Sequence, residues 1–196
     1  MYPVSDGFLR AVKSNTRKYY WTGTIVTRGG MTYEFGAKEI VKGSGYISRQ
    51  CCGSTEIELG TVYAAEMGIT LLSDIDRYTL EDAQVTLVFH LVLADDSVED
   101  VPMGVFEVSE ANRLAKCLEL KAYDFMLRFD KSFNGFETVG TAYDFIALCC
   151  KRCKVEFANK RAEIDAMPNG GVTLSVYTEN DIETCRDVPR VLRNLL

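Results

Sequence analysis

The chain has 196 residues, 47% of them hydrophobic and 26% charged, and a formal net charge of −6. This length and composition suit a soluble globular protein with one sizeable domain or two small ones, and the acidic balance argues against a nucleic-acid partner, since phosphate binding needs clustered Lys and Arg. The start of the chain has no basic segment followed by an apolar run, and no stretch reaches the length of a membrane span, so we expect no signal peptide, no membrane partner and synthesis in a cytoplasm.

The chain begins with a predicted helix and a predicted hairpin. Ser5 or Asp6 is placed to cap a short amphipathic helix that ends near residues 14–15. Residues 17–27 are rich in aromatic and β-branched types, and residues 31–35 follow a Gly-Gly turn. This pattern is typical of a β-hairpin.

The next segments predict short strands and loops. Residues 42–48 are Gly-rich but lack the residue order of a phosphate-binding loop, which favours a bulged strand or a turn. Residues 56–72 are predicted to be mostly strand. Residues 73–82 form an acidic connection without the central Gly and spaced Glu of a calcium loop, so we expect a solvated loop rather than a cation site.

The strongest strand signal lies at residues 83–94, where five apolar side chains share one face. Residues 95–97 are predicted to form a hairpin tip that returns the chain into a strand ending at Val108. A polar reversal is then predicted at residues 109–113, followed by a second strand at residues 117–122.

After this strand pair the chain becomes more helical. Asp124 is placed to cap a short apolar helix at residues 125–129, and Asn134-Gly135 predicts a turn. A helix is predicted from residue 142 to about residue 154, capped at or before Thr141. Its apolar stripe is predicted to consist of Tyr143, Ile146, Ala147 and Cys150.

The end of the chain is predicted to hold one more strand and one more helix. Residues 172–177 alternate as a strand, and a terminal helix is expected at residues 182–196, with Pro189 interrupting it early. The apolar side chains in its last residues are expected to be covered by a partner or by a continuation of the chain. The element pattern therefore favours an α+β fold that is mainly antiparallel β.

The cysteines are predicted to be reduced, because their number is odd and no export signal is present. They are Cys51, Cys52, Cys117, Cys149, Cys150, Cys153 and Cys185. Cys150 and Cys153 form a lone C-x-x-C motif, whereas metal sites of this type usually require a second pair. Together with Cys149 they have core spacing on a helix, which favours buried apolar thiols over a metal or redox site.

His90 and Trp21 are two further candidate functional residues. His90 lies on the opposite face of its strand from the apolar stripe, and the sequence identifies no Cys, Ser or carboxylate partner for it. Trp21, the only tryptophan, is expected to pack in the core rather than bind a ligand. We therefore assign no catalytic, cofactor-binding or metal-binding residue and predict no cofactor.

Several motifs together resemble tail proteins of phages and prophages of Gram-positive bacteria, of the baseplate-hub or tail-tip kind. The resemblance extends over nearly the whole chain. The pattern that carries it best is Gly-x-Phe-x-Val followed by a strand ending in Ala-Tyr-Asp. The stretches are residues 19–23 (Tyr-Tyr-Trp-Thr-Gly), 43–47 (Gly-Ser-Gly-Tyr-Ile), 56–66 (Glu-Ile-Glu-Leu-Gly-Thr-Val-Tyr-Ala-Ala-Glu), 101–108 (Val-Pro-Met-Gly-Val-Phe-Glu-Val) and 120–124 (Leu-Lys-Ala-Tyr-Asp).

The resemblance implies a structural virion protein and not an enzyme. It implies a β-barrel-like hub domain at residues 1–133 and the start of a smaller α/β domain at residues 134–196. It also implies a trimer at the distal end of the tail tube, assembled in the bacterial host cytoplasm and carried in the virion tail. The expected partners are its own copies, the tail tube, the distal tail ring, and tip or fibre proteins; Tyr20 and Trp21 are candidate contact residues.

Two alternatives from other classes stay open. A distal tail ring protein shares β-barrel parts and would form a hexamer instead of a trimer. A thiol-dependent hydrolase or cell-wall hydrolase would use His90 with one of the cysteines or acids. That enzyme would require a Cys or carboxylate within hydrogen-bond reach of His90 and a cleft beside it.

Overall fold

The computed structural model of the chain describes residues 2–50, 63–133, 138–176 and 184–188. These residues divide into two compact units, one formed by the described parts of 1–48 and 65–124 and the other by those of 49–64 and 125–196. Three predictions lie wholly or partly outside the described residues: the strand at residues 56–62, the turn at Asn134-Gly135 and most of the helix at residues 182–196. The predicted domain boundary after residue 133 stays a prediction.

The first unit is a seven-stranded antiparallel sheet with one short helix. The helix is α1 (Asp6–Val12), and the strands are β1 (Lys18–Val26), β2 (Thr32–Phe35), β3 (Tyr46–Ser48), β4 (Glu66–Leu72), β5 (Gln84–Val92), β6 (Val98–Leu114) and β7 (Cys117–Tyr123). Their order is β2-β1-β5-β6-β7-β4-β3. The predicted α+β, mainly antiparallel class is confirmed. Within the part of the chain that the structure describes, β2 and β3 are open edges, so the expected barrel-like closure does not form there.

Alternation of side chains places the core of the first unit on one face of the sheet. Val85, Leu87 and Leu91 of β5 point inward, as predicted, and each is at most 1% exposed. Phe106 and Leu118 bury equivalent positions of β6 and β7. Each fully buried side chain of this size contributes about 1.5–3 kcal/mol of transfer free energy, so this apolar face is the main stabilising feature of the sheet.

The predicted hairpin of β1 and β2 and the predicted helix α1 are confirmed. The Phe8 backbone N–H donates to Ser5 Oγ at 3.0 Å, so Ser5 is the N-cap of α1. The Ser5 backbone N–H donates in turn to Glu99 Oε1 at 2.8 Å. The Phe8 ring meets the Phe89 ring edge to face, with centroids 6.4 Å apart. The helix is thereby held against β5 and β6.

The predicted polar reversal at residues 109–113 is wrong, because β6 continues to Leu114 and the chain turns at residues 115–116. A β-bulge accommodates Ser109, where Val108 pairs with Ala122 and Glu110 pairs with Lys121. Beyond the bulge, Glu110 and Asn112 are exposed, whereas Arg113 is partly buried and donates to the Ser73 carbonyl oxygen at 2.7 Å. Polarity there therefore reflects exposure and a side-chain hydrogen bond and does not mark a turn.

A second irregularity in β6 lies opposite Leu87 and Val88 of β5. Leu87 pairs with Gly104 while Val88 pairs with Pro102, which leaves Met103 as the additional residue. Gly104 has φ of +118°, a conformation that residues with a Cβ rarely adopt. The glycine of the Gly-x-Phe-x-Val motif thus permits the bend in the longest strand.

The acidic connection at residues 73–82 is more ordered than predicted. It contains a 3-10 helix, Arg77–Leu80, whose first turn is capped by Asp76 accepting from the Tyr78 backbone N–H at 3.1 Å. Leu80 is fully buried. Asp82 pairs with Arg28 at 3.4 Å on the surface, so the two acids have local structural roles.

The second unit combines short helices with a two-stranded sheet. Its elements are a 3-10 helix (Phe125–Asp130), β8 (Thr138–Gly140), α2 (Ala142–Cys153), α3 (Arg161–Asp165), β9 (Leu174–Val176) and a 3-10 helix (Cys185–Asp187). Strands β8 and β9 pair antiparallel. The predicted helices after Asp124 and Thr141 are confirmed, and the predicted strand at residues 172–177 is described over Leu174–Val176. No element was predicted at α3 or β8.

The buried face of α2 is rotated relative to the predicted stripe. The buried residues of the helix are Ala142, Phe145, Cys149, Cys150 and Cys153. Tyr143 and Ile146, expected at the centre of the stripe, are only partly buried. The prediction that the three cysteines are buried is confirmed, because small apolar thiols pack beside Phe145 in the core.

A hydrogen-bonded carboxylate caps the start of α2. Asp144 Oδ2 accepts from the Thr141 backbone N–H at 2.9 Å and from the Thr141 hydroxyl at 3.0 Å, and Asp144 Oδ1 pairs with Arg161 at the start of α3. The Arg161 guanidinium and the Thr141 N–H hold the pKa of Asp144 at about 2, below its ordinary value of 3.8. One carboxylate therefore joins both helices.

Gly23→Ala should destabilise the first unit by roughly 1–3 kcal/mol, since overpacking forces the sheet to shift. An added Cβ would lie 2.3 Å from Phe35 Cζ and 2.6 Å from the Thr86 carbonyl oxygen. Urea unfolding measures the change. Gly29→Ala in the adjoining turn is the matched control: its nearest atom is 3.9 Å away, and its expected effect is within about 0.5 kcal/mol. Equal effects of the two substitutions would contradict the packing described for Gly23.

The second unit should lose stability as the pH falls from about 4 to about 2. The folded pKa of Asp144 lies below its unfolded value, so the ionised carboxylate stabilises the fold above that window and the contribution disappears as the group is protonated. Acid titration of the unfolding free energy measures this effect. Asp144→Asn should flatten that part of the profile. Asp74→Asn, at an exposed position, should leave it unchanged.

Candidate functional site

A row of polar side chains crosses β1, β5 and β6 on the solvent face of the sheet. His90 of β5 is paired in register with Tyr20 of β1 and with Asp100 of β6. His90 Nδ1 lies 2.6 Å from Asp100 Oδ1, and His90 Nε2 lies 2.7 Å from Thr22 Oγ1. The Tyr20 ring stacks on the imidazole with centroids 4.5 Å apart and planes 12° from parallel. We call these four residues the His90 row.

The hydrogen bonds of the His90 row run in one direction. When the Asp100 carboxylate accepts a hydrogen bond from Nδ1–H, the Nε2 atom of a neutral imidazole accepts a hydrogen bond from the Thr22 hydroxyl. The imidazole is mostly buried, with a side chain 12% exposed, whereas Asp100 is 59% exposed. The row therefore holds a hydroxyl, a base and an orienting acid in contact, which are three elements of a nucleophilic site.

A nucleophilic site also needs hydrogen-bond donors that bind the oxyanion, and backbone N–H groups often supply them. In a β-sheet the N–H groups of each strand point within the sheet plane toward the neighbouring strands. β1 and β5 pair over their whole common length, from Lys18 with Val92 to Val26 with Gln84. Their N–H groups are thus directed along the sheet and away from the face that carries Thr22. An oxyanion requires donors aimed at the reacting carbonyl, and this arrangement does not direct them there.

The structure gives His90 a carboxylate partner, Asp100, that the sequence did not identify. The predicted hairpin tip at residues 95–97 gave a signal that was off by one residue. In an antiparallel hairpin the numbers of paired residues have a constant sum. The predicted tip is centred on Asp96 and would place His90 opposite position 102, whereas the observed hairpin is centred one residue earlier, on Asp95, and pairs His90 with Asp100. The Thr22 contact required the register of β1 on β5, which joins segments 68 residues apart.

A second polar cluster lies at the other end of the same face. The Tyr46 hydroxyl donates to Glu66 Oε1 at 2.6 Å, and Lys121 Nζ lies 3.5 Å from Glu66 Oε2. The hydroxyl lowers the pKa of Glu66, and the carboxylate raises the pKa of Tyr46. The Tyr46 ring covers Gly68, where an added Cβ would lie 2.2 Å from Cε1. These contacts fasten the short edge strand β3 to β4.

Two surface depressions accompany these strands. The first, of about 410 Å³, is lined by residues of β3, β4, β6 and β7 and includes Tyr46 and Lys121. The second, of about 290 Å³, lies beside the end of α1 and the turn after β5. Neither is lined by a member of the His90 row, so the cleft required by the hydrolase alternative is not at either place.

The first half of β1 has an exposed edge. Strand β2 pairs with β1 only from Gly23 to Val26, whereas β5 pairs with β1 from Lys18 onward. Among the described residues, Lys18–Thr22 therefore has a neighbouring strand on one side only. Tyr19 and Tyr20 are 54% and 37% exposed on this segment. We call Lys18–Thr22 the β1 edge; its outward N–H and C=O groups can pair with another strand.

The remaining candidates have structural roles. Trp21 packs edge to face against Phe89, with centroids 5.9 Å apart, next to the core, as predicted. The described cysteines are free thiols, and Cys149, Cys150, Cys153 and Cys185 are buried. Within the described ranges, no group of three or more His, Cys, Asp and Glu side chains is arranged to hold a metal ion. Those ranges also contain no helix long and apolar enough to cross a membrane.

Comparison with known proteins gives little further information. No protein-family model matches the chain, and no curated protein matches it. Among solved structures, the chain is similar to a chain in the virion of a native gene transfer agent particle, with a TM-score of 0.39 and 12% sequence identity. The match covers 61% of this chain and 44% of that chain, so this chain spans less than half of its neighbour. A likeness of this strength carries no argument about function.

Proposed function

We propose that the chain is a structural virion protein of a phage or prophage tail, the baseplate-hub or tail-tip component that joins the tail tube to the distal tip. Residues 1–133 would be the hub domain and residues 134–196 the beginning of a smaller domain. The partners would be further copies of the chain, the tail tube, the distal tail ring, and tip or fibre proteins. Assembly would take place in the bacterial host cytoplasm, and the chain would have no enzymatic role.

The sequence resemblance supports this proposal, and the geometry of the first unit is consistent with it. Three of the stretches that carry the resemblance lie on long strands of one sheet: residues 19–23 on β1, residues 101–108 on β6 and residues 120–123 on β7. The first stretch includes most of the β1 edge, the second contains the irregularity at Gly104, and the third reaches the end of β7. Such features determine how a sheet meets its neighbours.

The single observation that carries the proposal is the β1 edge. A strand with unpaired backbone groups and exposed aromatic side chains is a surface that another chain can extend, and proteins cover or charge such edges when they stay monomeric. Here the edge carries two exposed tyrosines beside the His90 row. Tyrosine provides a large contact area with a polar end and is enriched in interfaces. A closed ring of copies would cover every such edge.

The purified chain should have the mass of a trimer across a concentration series in light scattering, as the resemblance to hub proteins implies. A closed ring would cover each β1 edge. A hexamer would favour the distal tail ring alternative instead. A monomer at every concentration would contradict assembly through these residues.

Tyr20→Lys should shift the trimer toward monomer, since it places a charge at the β1 edge and removes the ring stacked on His90. The same light-scattering series measures the shift. Tyr78→Lys is the matched control, because Tyr78 is 74% exposed on the 3-10 helix Arg77–Leu80, away from the β1 edge. Equal dissociation by both substitutions would argue against the β1 edge as the interface, and an unchanged mass for Tyr20→Lys would do the same.

The His90 row supports a second candidate, a hydrolase with Thr22 as nucleophile and His90 as base. Thr22→Val keeps the β-branched shape and removes the hydroxyl. If the chain is a structural protein, this variant should assemble as the wild type does and should show no loss of turnover relative to it. Release of p-nitrophenol from an activated ester and release of fragments from peptidoglycan measure the activity. Turnover that is present in the wild type and lost in Thr22→Val and Asp100→Asn would overturn the structural proposal. Val26→Thr, on the same strand and face, is the reciprocal control.

A further inference from the structure

The start of β6 has a neighbouring strand on one side only. β5 pairs with β6 from Val98 to Glu107, whereas β7 pairs with β6 only from Glu107 onward. Within the part of the chain that the structure describes, Val98–Pro102 therefore has β5 on one side and no strand on the other. Pro102 has no N–H to donate, and proline in sheets is found at edges. We call Val98–Pro102 the β6 edge.

The β6 edge and the β1 edge lie at the same level on opposite sides of β5. The cross-strand rows, from β1 through β5 to β6, include Lys18–Val92–Val98, Tyr20–His90–Asp100 and Thr22–Val88–Pro102. Both β1 and β6 are antiparallel to β5, so they run in the same direction. Rotation of a second copy about an axis along the strands preserves this direction and this level. The β1 edge of that copy would then meet the β6 edge as a parallel strand.

The two edges carry opposite charges. Arg17 and Lys18 are exposed at the start of the β1 edge. Glu99 and Asp100 belong to the β6 edge, and Asp96 is exposed in the turn before it. Like charges would face each other if two β1 edges or two β6 edges paired, which is destabilising. Pairing of a β1 edge with a β6 edge instead brings opposite charges together.

We propose that the β1 edge of one copy pairs in parallel with the β6 edge of a second copy, so that the sheet continues from one chain into the next. The pairing rests on the proposed function, because it names the two surfaces through which the copies would assemble. The surfaces differ, so the contact is heterologous and needs a closing rotation to form a ring.

This arrangement extends the His90 row across the interface. Tyr20 of one copy lies at the level of Asp100 of the partner subunit. His90 binds Oδ1 of the Asp100 carboxylate, and Asp100 is 59% exposed. The second carboxylate oxygen, Oδ2, can therefore accept a hydrogen bond from the Tyr20 hydroxyl of the neighbouring copy. The exposed tyrosine and the exposed carboxylate thus complete each other.

Disulfide linkage between copies tests the pairing directly. Within one chain, Thr22 and Pro102 are two strand spacings apart, about 10 Å, which exceeds the roughly 7 Å that a disulfide spans. The double variant Thr22→Cys/Pro102→Cys, oxidised under mild conditions, should therefore form covalent oligomers on a non-reducing gel. Trypsin should release peptide 19–28 linked to peptide 78–113, and neither peptide contains a native cysteine.

The matched control is Thr22→Cys/Tyr78→Cys, because position 78 lies in the same tryptic peptide but outside the β6 edge. This control should give little of the linked species. Equal linkage in both double variants would contradict the pairing. Linkage of peptide 19–28 to itself would also contradict it, since that product shows two β1 edges in contact.

An exchange of charges gives a second test that needs no cysteine. Lys18→Glu places a carboxylate near Asp100 of the partner subunit, and Val98→Lys places an ammonium group beside Lys18 of the partner subunit. Each substitution should shift the mass in light scattering toward monomer. The double variant Lys18→Glu/Val98→Lys should regain the wild-type mass. Lys18→Glu/Val105→Lys should not, because Val105 is exposed on β6 beyond the β6 edge. Far-UV circular dichroism verifies that each variant is folded.

The two tests separate this pairing from the proposed function. A trimeric wild type without the linkage between peptides 19–28 and 78–113 would overturn the pairing and leave the proposed assembly in place. Failure of Lys18→Glu/Val98→Lys to regain the wild-type mass would do the same. A wild type that is monomeric at every concentration would overturn the assembly and the pairing together.

Discussion

The period-two alternation of the seven-stranded sheet is the constraint on which the first unit depends. The inward side chains of β4, β5, β7 and the middle of β6 are apolar and mostly buried, so a shift of register by one residue would expose this core and bury the polar face. Because β5 is bound on both sides, by β1 and by β6, its register determines where the side chains of both neighbours lie. The His90 row is a direct consequence, since Tyr20, His90 and Asp100 are the solvent-facing members of one cross-strand row.

The irregularities of β6 adapt this regular pattern to a long strand. Two bulges, at Met103 and at Ser109, allow β6 to pair first with β5 and then with β7 over seventeen residues. Bulges bend a strand and increase its twist, so both halves of β6 keep their apolar residues toward the core. The two polar clusters of the solvent face lie on different strands: the His90 row on β1, β5 and β6, and the Tyr46–Glu66–Lys121 cluster on β3, β4 and β7.

The second unit is stabilised in another way. Its elements are short, and their ends are held by side chains: Asp144 caps α2 and binds Arg161, Asp187 caps the 3-10 helix at Cys185, and Arg152 bonds the Phe133 carbonyl oxygen. Phenylalanine rings and thiols fill the interior. Small thiols pack closely without needing strong hydrogen-bond partners, so cysteines from distant segments share this core.

Sequence alone determined the local structure where one signal dominated: the Ser5 cap, the β1–β2 hairpin, the inward face of β5, the Thr141 start of α2 and the burial of its cysteines. Each depends on periodicity or capping within a few residues. Tertiary structure decided the rest. The sequence of the polar end of β6 resembles a turn, but in the structure this segment is a strand that pairs with β7. The Thr22–His90 contact joins residues 68 positions apart, and Cys185 shares a core with the cysteines of α2. Such contacts depend on strand register and on core packing, which local patterns do not encode, so the sequence identified His90 and the cysteines individually but not their partners.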